Sequence, residues 1–245
     1  MSRVENYIND ELKRHKKICF ALLDSENFED IAGVAKKVES LGASAILVGG
    51  SSAIDQLDLD KLVISIKSIV SIPVILFPGN VTGVSPNADA ILFTSLLNSE
   101  DPYFISGAQA LGALLVKKYN IEPLPTGYII IGDNTTAWFI GRAKGIPFEK
   151  SNIAVMYSLA AQYLGMRFVY LEAGSGAKKN VSAEMISNVR KYYDGLLIVG
   201  GGIKNSLIAK ELAEAGADIL VVGTLLERDP DWEKKFNDIV MAIRS

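Results

Sequence analysis

The sequence predicts a (β/α)8 barrel, and three observations predict it. Short runs rich in Val, Ile and Leu alternate with longer segments of helical period. Each run is almost continuously apolar, as strands buried on both faces of a parallel sheet are. A unit of turn, small residue and strand recurs in "LGASAILVGGS", "PNADAILFTSL" and "AGADILVVGTL". Eight such runs in 245 residues suit a barrel, whose usual length is about 250 residues. No Pro-, Ser- or Gly-rich linker divides the chain, so residues 1–245 read as one barrel domain. A doubly wound open sheet is the alternative arrangement of the same elements.

The strands, in order, are Ile18–Asp24, Ala45–Ser51, Pro73–Pro78, Ala90–Thr94, Thr126–Ile131, Phe168–Glu172, Leu196–Gly200 and Asp218–Gly223. Amphipathic patterns between them predict helices over Phe28–Leu41, Leu59–Val70, Tyr103–Tyr119, Lys150–Leu164, Ala183–Tyr192 and Asn205–Ala215. A last helix, Asp231–Ile243, closes the chain. Two places break the alternation. "GNVTGVSPN", between the third and fourth strands, is too short and too rich in Gly, Pro and Asn for a helix, so a loop stands where the third helix belongs. Gly132–Pro147 is a long loop carrying Trp138 and Phe139.

Composition narrows the chemistry. With 25 Lys plus Arg against 28 Asp plus Glu, the net charge is −3, which argues against a nucleic-acid surface. The opening "MSRVENYINDELKRHKK" lacks the apolar stretch of a signal peptide, and no run of about 18 apolar residues exists to span a bilayer. The expected location is the cytoplasm. The single Cys, Cys19, sits in an apolar run and reads as a small buried hydrophobe; the single His, His15, precedes the first strand and reads as solvated. One of each excludes a His/Cys zinc cluster, a Ser-His-Asp triad and a Cys-His pair. Carboxylates, hydroxyls, backbone amides, Lys, Arg, Tyr or an oxygen-bound metal are left to do the work.

In such a barrel the working face lies at the C-terminal ends of the strands. Those ends carry Asp24, Gly49–Ser52, Pro78–Gly79, Asn98 a little beyond, Glu172–Gly176, Gly200–Ile203 and Gly223–Thr224. Glycine turns after strands seven and eight suit phosphate binding through backbone amides, because no Cβ blocks the anion. Ordinary turn requirements explain the same glycines. Asp24, with Ser51 and Ser52 at the neighbouring strand end, suits Mg²⁺ if the ligand supplies phosphate oxygens. Asp24 equally suits a cap on the helix starting near Asn27–Phe28.

"YLEAGSG", "LVGGS", "VGGGI" and "VVGT", in strand order, resemble the geranylgeranylglyceryl phosphate synthase family and its bacterial heptaprenylglyceryl phosphate synthase relatives. "LLNSEDPYFISGAQ" is similar to the family's Asn-Ser-x-x-x-Tyr-x-Ile-x-x-x-Gln segment, and "PLPTGYIIIG" to its Pro-x-Pro-Thr-x-Tyr-Ile strand. The resemblance covers most of the chain. The long loop looks more like the larger archaeal-type group, and the missing third helix is a family trait. It implies Mg²⁺-dependent transfer of a prenyl group, typically geranylgeranyl, from its diphosphate to the 3-hydroxyl of sn-glycerol 1-phosphate, making the first ether bond of archaeal-type lipids.

On that resemblance Glu172 takes the glycerol proton. Tyr170, Leu171, Glu172, Ala173, Gly174, Ser175, Gly176, Gly201, Gly202, Gly223 and Thr224 hold glycerol 1-phosphate, and Asp24 and Ser51 help hold Mg²⁺. The prenyl tail needs an apolar channel, for which Tyr103, Phe104, Tyr128, Trp138 and Phe139 are the candidates. A homo-oligomer built from dimers, up to a hexamer, and peripheral membrane contact through the lipid product are also expected. "GYIIIG" and "TTAWFIG" are the segments that would meet a neighbouring subunit. Two departures stand out. "DSEN" (24–27) replaces an Asp-Pro-x-Lys common among relatives, and "YF" (103–104) replaces a more usual Tyr-Trp. The alternatives are a phosphosugar isomerase or lyase, for which a second opposed acid or base is hard to find, and a silent phospho-ligand barrel.

Overall fold

The computed structural model describes residues 3–24, 30–50, 56–81 and 83–244. Helix α1 (Arg3–His15) leads into β1 (Ile18–Asp24), followed by α2 (Ile31–Ser40), β2 (Ala45–Gly50), α3 (Gln56–Lys67), β3 (Val74–Pro78) and β4 (Ala90–Leu96). A π-helical turn, Tyr103–Gly107, runs into α4 (Ala108–Lys118). Then come β5 (Glu122–Ile130), α5 (Thr136–Ile140), α6 (Ser151–Tyr163), β6 (Phe168–Glu172), α7 (Ala183–Arg190) and β7 (Leu196–Gly200). The chain ends with α8 (Ser206–Glu214), β8 (Ile219–Val222), α9 (Thr224–Arg228) and α10 (Trp232–Arg244).

The strands pair in parallel, in sequence order, and β8 closes on β1. The barrel is therefore the predicted one, not the open sheet. Side chains alternate along each strand, and the alternation makes two cores. Phe20, Leu47, Ile75, Leu124, Phe168 and Ile198 pack inside the barrel. Cys19, Ile46, Leu76, Val169, Leu197 and Leu220 face outward onto the helices. Cys19 is fully buried there, and burial pushes its thiol up to about 12.

The polar N-terminal stretch, read above only for what it lacks, is a helix. Val4 and Ile8 of α1 are buried in the inner core with Phe20 and Phe168, so the helix plugs the barrel floor. Glu122, opening β5, caps it by accepting the Val4 and Glu5 amides at 2.7 and 2.9 Å. Arg167 donates to Glu5 at 2.7 Å and ties the same end to β6. With the floor sealed, the ligand-sized space lies above the inner core, toward the strands' C-terminal ends.

No helix lies between β3 and β4 among the described residues; 79–81 and 83–89 run through turns and bends, as the loop composition predicts. The long loop after β5 contains a short helix, α5, capped by Thr135 Oγ1, which accepts from the Trp138 amide at 3.3 Å. Among the described residues no helix is long and apolar enough to cross a membrane. Of the segments expected to meet a neighbour, Ile129, Ile130 and Ile131 are buried within the chain itself, so "GYIIIG" offers no apolar face; Phe139 and Ile140 are exposed.

Candidate active site

A cavity of about 1010 Å³ opens at the C-terminal ends of the strands. It is at the large end for a small-molecule pocket. Its wall is polar on one side, with Asp24, Glu172, Ser175, Thr224 and Arg228, and apolar on the other, with Val84, Ile91, Phe93, Leu96 and Val116. The apolar side exists because the β3–β4 connection is a loop: Pro78, Gly79 and Val81 line the space beside it.

Glu172 is the last residue of β6, level with Ile130 on β5 and Gly200 on β7. It is only 6% exposed. The strand holds it firmly, since Ile131 N–H donates to the Glu172 carbonyl at 2.8 Å and Ala173 N–H to Gly200 at 3.1 Å. One carboxylate oxygen accepts the Gly174 amide at 2.5 Å. Burial raises the Glu172 pKa above 4.5, the ordinary value, while the Tyr170 hydroxyl and the Gly174 amide pull it down. The Tyr170 hydroxyl is buried beside the carboxylate but outside hydrogen-bonding geometry, so it acts as a nearby dipole. Its ring stacks on Phe77 at 5.6 Å and meets Tyr128 edge-on at 5.2 Å. Burial, and next the Glu172 charge, raise the pKa of both tyrosines, so their hydroxyls stay protonated.

The β7 turn needs glycine for a local reason. Gly201 has φ +84°, and a Cβ there would lie 2.6 Å from the Gly174 amide nitrogen and 2.7 Å from the Glu172 carboxylate. The two turns therefore pass with only backbone between them, and their amides crowd round one small space. Thr224, just past β8, closes the group. Its hydroxyl accepts the Gly176 amide at 3.0 Å and lies 3.1 Å from Ser175 Oγ. That bond commits the Gly176 amide and the Thr224 hydroxyl to each other.

Glu172, Tyr170, Gly174, Ser175, Gly176, Gly201, Gly202, Gly223 and Thr224 all stand on the cavity wall. Leu171 and Ala173 do not; their side chains turn into the outer core. Of the aromatic candidates, Phe104 and Tyr128 line the apolar side. Tyr103 stands outside it, 37% exposed and edge-on to Phe104 at 5.1 Å. Trp138 packs beneath the loop against Leu96, Ile130 and Ala143, while its α5 neighbours Ala137 and Ile140 reach the cavity. Phe139 points to solvent, 72% exposed.

Asp24 also lines the cavity, at the end of β1 and level with Gly49. Ser51 and Ser52 lie outside the described residues, as do Asn27 and Phe28. Among the described residues no group of three or more His, Cys, Asp or Glu is placed to hold a metal ion. One hard carboxylate donor suits a Mg²⁺ ion that takes its other ligands from a phosphorylated substrate and water.

Sequence reasoning missed several wall residues. Phe77 is one, although its place one residue before the end of β3 and its inward parity mark it. Gln109 is another. It donates to the Phe104 carbonyl at 3.2 Å, which supports the π-helical turn that carries Phe104 to the wall. Nothing in the local sequence marks Thr135, whose side chain presses on Gly174 where a Cβ would stand.

A closed barrel with its acid and its glycine turns gathered at one end places the chain among the (β/α)8-barrel enzymes. Within that class it belongs to the PcrB family, whose model matches residues 11–243. Geranylgeranylglyceryl phosphate synthase of Nitrosopumilus maritimus is 59% identical over 99% of this chain and 98% of its own. The synthase of Cenarchaeum symbiosum is 57% identical over 96% of both chains. The structure of (S)-3-O-geranylgeranylglyceryl phosphate synthase from Thermoplasma acidophilum, in complex with its substrate sn-glycerol-1-phosphate, superposes with a TM-score of 0.93. It is 36% identical and covers 100% of this chain and 99% of that one.

Proposed function

We propose that this chain transfers a geranylgeranyl group from its diphosphate to the 3-hydroxyl of sn-glycerol 1-phosphate. One observation carries the reading. A buried carboxylate of raised pKa faces a glycine-lined cradle at one side of a cavity whose other side is apolar. The cradle accounts for the phosphorylated alcohol, the apolar side for the tail, and the carboxylate for the proton between them.

In the reaction the bond from the allylic carbon to the diphosphate oxygen breaks, and a bond from that carbon to the glycerol oxygen forms. Diphosphate leaves with the electron pair, and the hydroxyl proton goes to Glu172. The residues have two tasks: to hold the hydroxyl about 3–3.5 Å from the carbon and to take its proton. Burial strengthens Glu172 as a base, while the Gly174 amide and Tyr170 keep enough of it ionised to act. The Phe77–Tyr128–Tyr170 aromatic group packs the space beneath it. Asp24, together with Ser51, would hold Mg²⁺, whose charge offsets that of the departing diphosphate. Phe104 and Tyr128 would flank the tail.

The reading extends to the setting. The chain works in the cytoplasm and hands a lipid product to the membrane surface. It assembles as a homo-oligomer built from dimers, for which the exposed Leu111 and Leu114 of α4 and Met156 and Tyr163 of α6 are available apolar surface. The test is incubation with Mg²⁺, sn-glycerol 1-phosphate and prenyl diphosphates of several lengths, with analysis of products. A prenylated glyceryl phosphate released with diphosphate supports the reading. Its absence, or turnover of a phosphosugar without Mg²⁺, overturns it.

A further inference from the structure

Three described cations line the cavity: Lys204, Arg228 and Lys235. Lys235 is already matched, paired with Asp229 at 2.5 Å. Lys204 is exposed on the loop after β7, and no contact holds it at the cradle. Arg228 is exposed too, but unlike Lys204 it is carried back over the cradle. The short helix α9 starts immediately after Gly223 and brings Arg228 back over the Ser175–Gly176 turn. Its Nη1 lies 3.7 Å from where a Cβ on Gly176 would stand. The backbone beneath it is fixed, because Leu225 and Leu226 are buried and the Asp229 amide donates to the Leu225 carbonyl at 3.2 Å. Among the described residues the Arg228 side chain makes no ion pair or hydrogen bond.

The charge count at the cradle gives this arginine a use. Glu172 and Asp24 both face the cavity, and Glu227 lines it as well, while Asp229 is offset by Lys235. A phosphate monoester brought into that surrounding adds further negative charge, which a cation beside the amides offsets more fully than neutral donors do. The Gly176 amide is not free to help, since Thr224 occupies it. We infer that Arg228 is a substrate-binding and specificity-determining residue: its guanidinium closes the cradle from the solvent side and pairs with the phosphate of the three-carbon acceptor. The inference rests on the reading that the cradle takes glycerol 1-phosphate. Arg228 touches neither the allylic carbon nor the hydroxyl, so it selects a phosphorylated acceptor over a neutral polyol without entering the bond-making step.

The test uses the full chain with Arg228→Gln and Arg228→Lys, varying each substrate in turn against saturating amounts of the other. Loss of one charge-assisted hydrogen bond predicts a KM for glycerol 1-phosphate about tenfold higher in Arg228→Gln, with kcat and the prenyl diphosphate KM within about twofold. Arg228→Lys recovers part of the loss, and added salt raises the acceptor KM less in Arg228→Gln than in the wild type. Calorimetric titration with glycerol 1-phosphate alone reads the same loss should a variant fail to turn over. An unchanged acceptor KM overturns the inference, as does a rise confined to the prenyl diphosphate. A wild-type chain that neither binds nor prenylates glycerol 1-phosphate overturns the reading of the cradle itself. An active wild type with an indifferent Arg228→Gln overturns only the role of Arg228.

Discussion

Gly201→Ala tests the close passage of the two turns, and the structure gives its size. Alanine at φ +84° costs about 1–2 kcal/mol in backbone strain. Its methyl would also stand 2.6 Å from the Gly174 nitrogen, which is backbone and cannot swing aside. To make room the Ala173–Gly174 peptide must move, and its bond to Glu172, 2.5 Å long, is the first to go. A hydrogen bond to a charged group contributes about 1.5–3 kcal/mol, so the total loss is about 2.5–5 kcal/mol. Gly165→Ala is the control. It has φ +82° with nothing within 4 Å of a new Cβ, and it lies past the end of α6, away from the cavity. That variant carries the strain alone, about 1–2 kcal/mol. Urea unfolding of both variants, compared by midpoint at equal slope, isolates the contact part. Steady-state kinetics should show kcat/KM down about 100-fold for Gly201→Ala and unchanged for Gly165→Ala. Equal destabilisation of the two variants, or full activity in Gly201→Ala, would refute the claim that these turns position Glu172.

Tyr170→Phe removes a hydroxyl that lowers the Glu172 pKa, so the acid limb of the pH–rate profile should move to higher pH; an unmoved limb would separate Tyr170 from the base. Because burial raises the Glu172 pKa above 4.5, the folded chain binds more protons than the unfolded one above that pH. Wild-type stability is therefore shed as pH rises from the ordinary value through the raised one. Glu172→Gln abolishes that loss, so its melting temperature should gain on the wild type as pH rises above 4.5; a constant difference would contradict it. Excess chelator should stop turnover and added Mg²⁺ restore it, and Asp24→Asn should do likewise while leaving glycerol 1-phosphate binding intact. Full activity in chelator would remove Asp24 from a metal role.

The barrel was legible because its strands are apolar on both faces and alternate with amphipathic segments. Ile18–Asp24, Phe168–Glu172 and Leu196–Gly200 have the same bounds in sequence and structure. The missing helix was legible from the Gly, Pro and Asn content of 79–87. The floor helix α1 was less visible, because one apolar stripe of Val4, Ile8 and Leu12 is set in a charged segment. At the site, residue identity was readable but side-chain direction was not. Strand parity turns Leu171 and Ala173 away, and the rotation of α5 sends Ala137 and Ile140, rather than Trp138, to the cavity. Thr135 against Gly174 and Arg228 over Gly176 join elements far apart in the chain, so no local pattern announces them.

The central claim is that Glu172 takes the proton of a glycerol 1-phosphate already held in its cradle. Single-turnover prenyl transfer by Glu172→Gln, with glycerol 1-phosphate affinity measured on the same protein, tests it most directly. The glutamine keeps an oxygen for the Gly174 amide but cannot accept a proton at neutral pH. Affinity near the wild-type value with transfer slowed by at least about 100-fold is the predicted result. Transfer at the wild-type rate would contradict it.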